Sequence, residues 1–360
     1  MLQIVPLQYY TSTYYYFLLV MIMVCVGLLF SEKYNPTKKT VSPNLIIFII
    51  LVLYIGFRPL SGYYFGDMTT YADFFKINAV SLTPIKSEDW LFDKFIFESS
   101  KIMGLESWFT VCAFLYIFPM YRISQKFGKS YAFYFFLLLI ASFSFWSYGT
   151  NGLRNGIATS VFLLALSSNK LVFQLLWMFL ACGIHSSMLL PSLAFGLTFL
   201  VKNPKYYFFG WLLSIPLSLV AGGAVQGMFA GLMDDSRSTY LTGGNVNNDS
   251  FSSTGFRWDF LLYSAAPVYN AYYFIFKKKW ISPIYNKIVC VYLTSNAFWI
   301  LVIKANFSNR FAYLSWFMMA VVIAYPWVQQ QFVPDQTKKM AIILLAYFSF
   351  TFLMNVILAG

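Results

Sequence analysis

The fold is decided by a stretch that reads Y-G-T-N-G-L-R-N-G-I-A-T-S from Tyr148 to Ser160 and A-C-G-I-H-S-S-M from Ala181 to Met188. Two apolar runs, residues 157–167 and 171–183, fill the stretch, and only the polar turn at residues 168–170 separates them. Apolar runs joined by a short polar turn predict a helical hairpin. The two open ends of a hairpin return to the same side, so polar residues at those ends should lie close together.

Arg154 and His185 occupy these two ends. His185 is the only histidine of the 360 residues, and Arg154 stands between two glycines, Gly152 and Gly156, which allow a backbone or a ligand to approach closely. The sequence therefore predicts that this arginine and this histidine emerge side by side.

The composition places the hairpin in a membrane protein. Hydrophobic residues make up 59% of the chain and charged residues only 11%, whereas a soluble domain carries about 25% charged residues. Such a chain cannot cover itself with polar surface, which excludes a soluble globular protein. The net charge of +12 does not indicate a nucleic-acid partner, because the basic residues fall in alternate loops, as membrane topology requires.

Apolar runs predict an all-α, polytopic protein with about 12 transmembrane or re-entrant helices. The predicted spans are residues 14–30, 44–57, 107–121, 131–148, 154–167, 171–184, 186–201, 206–225, 258–276, 284–304, 311–328 and 340–358. When the loop after the first span is placed in the cytoplasm, the cytoplasmic loops hold 15 basic and two acidic residues. The opposite side then holds ten basic and eleven acidic residues, a partition that supports the predicted spans.

The whole chain, residues 1–360, is predicted to form a single transmembrane domain with two longer external loops. The first loop, residues 58–106, has apolar residues at helical spacing in its second half, which predicts an amphipathic helix in the membrane interface. The second, residues 226–257, is rich in Gly, Ser, Asn and Asp and is predicted to be flexible. No metal site is expected, since the four cysteines are scattered and no carboxylate pair has metal-ligand spacing.

The external side is distinguished by its arginines. Lysine predominates in the cytoplasmic loops, but four arginines lie at external span ends: Arg58, Arg154, Arg257 and Arg310. The planar guanidinium binds phosphate in a bidentate manner, so this set predicts a site for an anionic group. The alternative is that single arginines extend to lipid headgroups.

Two acids of the first loop, Asp67 and Glu88, are the candidate catalytic carboxylates because both stand among aromatic residues near the membrane. The other acids of this region are predicted to form a solvated helix face: Asp89, Asp93, Glu98 and Glu106.

Six short motifs together resemble the EpsG-type polysaccharide polymerases. They are G-F-R at 56–58, G-D-x-x-x-Y at 66–71, E-x-W-x-F at 88–92, L-R-N-G-I-A at 153–158, I-H-S-S at 184–187 and N-R-F-A-Y at 309–313. The resemblance covers about residues 45–325 in the same order and spacing. The sequence departs from the family pattern at Asn155, where glutamine is usual.

The resemblance implies a polymerase of O-antigen or exopolysaccharide of the Wzy type, with a GT-C-like fold in the bacterial inner membrane and its active site facing the periplasm or exterior. Its substrates would be oligosaccharides linked to undecaprenyl diphosphate, as donor and acceptor. The growing glycan would move from its lipid diphosphate to the non-reducing end of a new repeat unit. No cofactor and no metal are expected, and a chain-length regulator is a possible partner protein.

On this hypothesis, each candidate residue has an expected role. Arg154 and Arg310 would clamp the diphosphate, with Arg58 or Arg257 assisting. Asp67 is the first candidate for the general base, ahead of His185 and Glu88. Three further residues would position the substrate: Asn155, Tyr71 and Tyr313.

Rival functions are a flippase for lipid-linked oligosaccharides, another lipid-linked-sugar transferase such as a ligase, and a membrane acyltransferase. A flippase needs a cavity that opens to both sides and often has repeat symmetry. The candidate residues here gather on one side instead, and the sequence has no visible repeat. An acyltransferase would be expected to hold its histidine near the cytoplasm, whereas His185 is predicted on the external side.

Overall fold

The structure, a computed structural model, describes residues 5–31, 43–87, 89–230, 255–305 and 308–358. All the regular secondary structure of these residues is helical. Candidate Glu88 and most of the second external loop lie outside the described residues.

Seventeen α-helices cover most of the described residues. They are α1 (Leu7–Phe30), α2 (Asn44–Gly56), α3 (Gly62–Phe65), α4 (Met68–Val80), α5 (Trp90–Ile102), α6 (Leu105–Gly128), α7 (Ala132–Ile140), α8 (Phe145–Thr150), α9 (Leu153–Ser167), α10 (Leu171–Ile184), α11 (Leu189–Leu200), α12 (Pro204–Ala230), α13 (Trp258–Tyr272), α14 (Pro283–Leu301), α15 (Ser308–Trp316), α16 (Met319–Gln329) and α17 (Gln336–Phe352). Two 3-10 turns, at Lys129–Tyr131 and Ser186–Met188, and two π-helical turns, at Tyr273–Lys277 and Leu353–Ile357, complete the set.

The predicted all-helical, multi-span character is confirmed, whereas the number of spans is not. Four described segments are long and apolar enough to cross a membrane: Leu7–Phe30, Pro204–Val225, Ser308–Gln329 and Gln336–Ile357. Shorter apolar helices, α2, α9 and α10 among them, accompany these four. The predicted span 131–148 is divided into α7 and α8, because the A-S-F-S segment between them turns the chain.

Residues 58–106, which the sequence predicts to be the first external loop, contain three helices, α3, α4 and α5, where the sequence predicted one. Helix α5 is amphipathic: Phe92 and Ile96 on one face are buried, whereas the Trp90 side chain is 53% exposed. Residues that the sequence assigned to a connecting loop therefore build ordered structure beside the candidate site.

The chain forms two compact units, residues 1–189 with 324–360 and residues 190–323. In the first unit, α6 packs against α2 and α9, α9 packs against α10, and α10 packs against α5. This unit contains the hairpin and the first external loop.

The second unit is held by α12 and α14, which pack along each other, and by α13 and α15, which pack against α14. A buried polar network joins these helices around Asn296. Asn296 Oδ1 accepts a hydrogen bond from Trp211 Nε1 at 2.7 Å, and its Nδ2 donates to the hydroxyls of Ser264 at 3.2 Å and Ser315 at 2.9 Å. Each partner comes from a different helix, so the network fixes their register.

Candidate functional site

The predicted hairpin is present as α9 and α10, which pack against each other. Arg154 is in the first turn of α9, and His185 directly follows α10. The side chain of Arg154 is 33% exposed, and that of His185 is 10% exposed. The two residues thus lie at the same end of the hairpin, as the sequence predicted.

Asp89 connects them. Its Oδ2 accepts a hydrogen bond from Arg154 Nη1 at 2.9 Å, and its Oδ1 accepts one from the backbone N–H of Ser186 at 2.9 Å. His185 Nδ1 lies 3.4 Å from the same Oδ1. These three residues, Asp89, Arg154 and His185, are called the hairpin cluster below.

The prediction of a solvated face for Asp89 and Asp93 was therefore wrong. Asp89 immediately precedes α5, yet its side chain does not cap that helix and is fully buried against the hairpin. Asp93 is also buried, and its carboxylate accepts hydrogen bonds from the N–H of Ser87 at 2.5 Å and from its hydroxyl at 2.6 Å. The physical reason is that α5 packs on α10, which turns its acidic first residues inwards.

Helix α5 packs closely against the hairpin at Gly183. A Cβ atom at this position would lie 2.9 Å from Trp90 Cζ2 and 3.1 Å from Leu91 Cβ. Because a Cβ atom here would force Trp90 and Leu91 to shift, glycine allows the start of α5 to lie directly on the end of α10. This approach brings Asp89 within reach of both hairpin ends.

The electrostatics of the hairpin cluster favour an ionised carboxylate. Burial alone would raise the pKa of Asp89, but hydrogen bonding and charge from His185, the Ser186 amide and Arg154 outweigh burial and lower this pKa from 3.8 to about 2. The carboxylate therefore stays charged at neutral pH and holds the Arg154 guanidinium in a fixed orientation.

Tyr71, on α4, lies beside the hairpin cluster. Its phenol interacts electrostatically with the Arg154 guanidinium. Burial raises the pKa of Tyr71, and the adjacent positive charge of Arg154 opposes that rise. The ring of Tyr71 meets the ring of Phe92 edge-on at 6.0 Å, so this residue connects α4 to α5 beside the arginine.

Asp67, the candidate base, is exposed at a tight turn between α3 and α4. Gly66 precedes it with a φ of 54°, a left-handed conformation that favours glycine. A Cβ atom on Gly66 would lie 2.5 Å from Asn151 Oδ1, and that same oxygen accepts a hydrogen bond from the Asp67 N–H at 2.8 Å. The segment between α8 and α9 thus fixes the position of Asp67.

Arg58 has a different environment from the one expected of a phosphate ligand. It is fully buried, and it donates to the carbonyls of Ile55 at 2.6 Å and Thr150 at 2.9 Å. Its guanidinium also lies over the ring of Phe109, 5.0 Å from the centroid. These contacts connect the end of α2 to the end of α8, directly before Asn151.

Asn155 lies on the first turn of α9, where its Oδ1 accepts a long hydrogen bond of 3.4 Å from the Ser187 hydroxyl. This contact joins the L-R-N-G and I-H-S-S motifs across the open end of the hairpin. Asn155 is therefore close to the hairpin cluster, which is the location expected of a substrate-positioning residue.

Three predicted site residues belong to the second unit. Arg257 pairs with Asp259 at 2.6 Å and lies over the ring of Phe260. Arg310 is exposed in the first turn of α15, and Tyr313 is buried in the same helix. The structure thus brings together Arg154, His185, Asn155, Tyr71 and Asp67 in the first unit, and it does not place Arg257, Arg310 or Tyr313 in that unit.

Sequence reasoning missed Asp89 and Asn151. A helix-start signal was available for Asp89, because an acid directly before W-L-F is typical of the first turn of a helix. That signal gives no direction for the side chain, so only the packing of α5 on α10 could reveal its partners. Asn151 stood inside the quoted stretch, but its bond to residue 67 joins segments 84 residues apart.

These features define an all-helical membrane protein whose charged cluster lies at one end of a helical hairpin. No curated protein and no solved structure matches the chain. The family model of the EpsG family matches residues 43–360, and the chain belongs to that family. The match includes the hairpin, the first external loop and the second unit. Family membership indicates, at a coarse level, a polymerase that acts on lipid-linked polysaccharide repeat units.

Proposed function

We propose that this protein is a Wzy-type glycosyltransferase that polymerises O-antigen or exopolysaccharide repeat units on the external face of the bacterial inner membrane. It transfers the growing glycan from undecaprenyl diphosphate to the non-reducing end of a new lipid-linked unit. One observation carries the proposal: in a chain of the EpsG family, a buried carboxylate holds the partly exposed Arg154 beside His185 at one end of the hairpin.

The reaction makes one bond and breaks one. The acceptor hydroxyl oxygen attacks the anomeric carbon of the donor sugar, while the bond from that carbon to the diphosphate oxygen breaks. The diphosphate leaves with the electron pair, and the hydroxyl proton passes to a base. Negative charge accumulates on the leaving oxygen, so the site needs fixed cations near that oxygen.

Arg154 is the proposed cation for the diphosphate. A guanidinium has five N–H donors, so a bond through Nη1 to Asp89 leaves other donors for phosphate oxygens. Because the bond to Asp89 already fixes the side chain, little reorganisation is needed when the substrate binds. Arg310 and Arg257 are secondary candidates on chemical grounds, and their contributions require separate variants.

Asp67 is the proposed general base. Its carboxylate is exposed and adjoins Tyr71, and the Asn151 side chain holds its backbone. His185 is the second candidate; its Nδ1 faces Asp89, so Nε2 is the atom that would accept the proton. Glu88 is the third.

Asn155, Tyr71 and Tyr313 would position the sugars. The partners are lipid-linked oligosaccharides and a chain-length regulator, with no metal and no nucleic acid.

The test is deletion of the gene in its host, followed by electrophoresis of the surface polysaccharide. The complementing genes encode the wild type, Arg154→Ala or Arg122→Ala. Arg122 is an exposed arginine in the C-terminal part of α6 and serves as the matched control. We expect single-repeat glycan in the deletion strain, full polymer with the wild type and with Arg122→Ala, and single-repeat glycan with Arg154→Ala at equal protein level. Normal chain lengths with Arg154→Ala would refute the role of this arginine.

The same experiment separates the polymerase from a flippase. If the deletion strain has no surface glycan and retains lipid-linked units on the cytoplasmic side, the protein transports the units and the polymerase proposal fails. If full-length polymer is made but stays on its lipid carrier, the protein is a ligase.

A further inference from the structure

Asp89 is the most completely buried acid in the vicinity of the hairpin, and its two oxygens have different partners. Oδ2 bonds to Arg154, whereas Oδ1 bonds to the Ser186 N–H and faces His185 Nδ1. Arg154 is the proposed diphosphate ligand, and His185 is a candidate base. A single carboxylate therefore contacts both residues from the side that is closed to solvent.

We propose that Asp89 is a positioning residue of the polymerase: it fixes the guanidinium of Arg154 and the ring of His185 relative to each other, without touching the substrate. This inference rests on the proposed function.

Burial argues against a direct catalytic role for Asp89. Its side chain has no solvent exposure, whereas that of Arg154 is 33% exposed. A group that takes a proton from the acceptor must reach the acceptor hydroxyl, and a carboxylate enclosed by the hairpin cannot reach it without moving. Arg154 is the exposed member of the hairpin cluster, and the buried Asp89 carboxylate fixes its orientation.

The surroundings also argue against a merely structural ion pair. A purely structural ion pair between α5 and α9 would need only the bond to Arg154. The Asp89 carboxylate also contacts Ser186 and His185 in the segment that follows α10. The loop that leads to Asp89 is itself fixed by the two hydrogen bonds from Ser87 to Asp93, and Gly183 allows α5 its close approach. Three segments thus determine where one carboxylate lies.

The experiment uses the full-length protein in detergent or vesicles, with lipid-linked repeat units extracted from the host deletion strain as donor and acceptor. The variants are Asp89→Asn, which keeps the shape and an acceptor oxygen for Ser186, and Asp89→Glu, which keeps the charge. Asp73→Asn is the matched control, because Asp73 is an exposed acid of α4 that pairs with Lys76. Chain elongation is followed at several substrate concentrations.

We expect Asp89→Asn to lower kcat by about 10- to 100-fold, as loss of a partner that orients a functional group does, while KM changes less than kcat. Asp89→Glu should recover part of kcat, and Asp73→Asn should behave as the wild type. Combining Asp89→Asn with Arg154→Lys should cost less than the product of the two separate losses, because both act on the same guanidinium.

Each outcome is decisive. If the wild type elongates the units and Asp89→Asn has a wild-type kcat, the positioning role is refuted. It is also refuted if the losses of Asp89→Asn and Arg154→Lys multiply fully, or if Asp89→Asn lowers the melting temperature and the amount of active enzyme without changing kcat per folded molecule. If the wild type itself does not elongate these units, the proposed function fails instead.

Discussion

Asp89 Oδ2 lies 2.9 Å from Arg154 Nη1, which joins residues 65 positions apart in the chain. The carboxylate is fully buried and the guanidinium is partly exposed. A buried charge is tolerated only when it is paired, so this bond explains why an acid lies inside an apolar packing of helices. It also makes the stability of the protein depend on the charge of Asp89.

The first prediction concerns acid stability. The folded protein lowers the pKa of Asp89 from 3.8 to about 2, so the ionised carboxylate stabilises the folded state above pH 3.8. This contribution, about 2 kcal/mol, is lost as the pH falls from about 4 through 2. Measured by intrinsic fluorescence, the melting temperature of the detergent-solubilised wild type should fall more steeply between about pH 4 and 2 than that of Asp89→Asn. If the melting temperatures of the wild type and Asp89→Asn fall in parallel with pH, the ionisation of Asp89 does not contribute to the acid stability of the protein.

The second prediction concerns the turn that carries Asp67. Gly66→Ala introduces a Cβ atom 2.5 Å from Asn151 Oδ1 at a φ of 54°. A residue with a Cβ atom pays about 1–3 kcal/mol for this sparsely populated backbone conformation, and the clash should displace Asp67 from Asn151. We expect polymer synthesis to fall at least tenfold, since a displacement near 1 Å at a catalytic group has about a hundredfold effect.

A control for the turn is available at Gly196, where a Cβ atom has no neighbour within 4 Å. Gly196→Ala should leave synthesis unchanged. Wild-type activity of Gly66→Ala would mean that the position of Asp67 is not critical, which would count against this residue as the base.

The third prediction separates Arg58 from the diphosphate contacts. Arg58→Met removes two charge-assisted hydrogen bonds to buried carbonyls, each worth about 1.5–3 kcal/mol. We expect a large fall in melting temperature and in the amount of folded protein, with KM for lipid-linked units unchanged in the folded fraction. Arg122→Met, at an exposed arginine, is the matched control. A stable Arg58→Met protein with a raised KM would instead make Arg58 a substrate ligand.

The fourth prediction concerns the second unit. Asn296→Ala leaves the buried Trp211 Nε1 without its 2.7 Å partner, whereas the Ser264 hydroxyl still accepts a hydrogen bond from Trp316 Nε1 and the Ser315 hydroxyl still donates one to the Ala312 carbonyl. Each buried polar group left without a partner costs about 1–3 kcal/mol. We expect a strongly lowered melting temperature. A small change would indicate that water or a rearranged side chain replaces the amide.

The sequence determined the helical class, most helix positions and the hairpin with Arg154 and His185 at one end. The physical reason is that these features follow from local patterns: long apolar runs specify helices, and a three-residue polar turn specifies that two of them reverse direction. Family membership was likewise readable from short motifs in series. Residues 58–106 were harder, because α3 has only four residues and α4 lacks the amphipathic pattern that marks α5.

Only the tertiary structure decided which side chains meet. Asp89 has the same charge as the exposed Glu98 of α5, and its burial follows from the packing of α5 on Gly183. Arg58 resembled the other external arginines, but the approach of α8 to α2 encloses it. Contacts between segments 65 to 97 residues apart depend on how helices pack, and hydrophobic periodicity specifies which face of a helix is buried but not which residue it meets there.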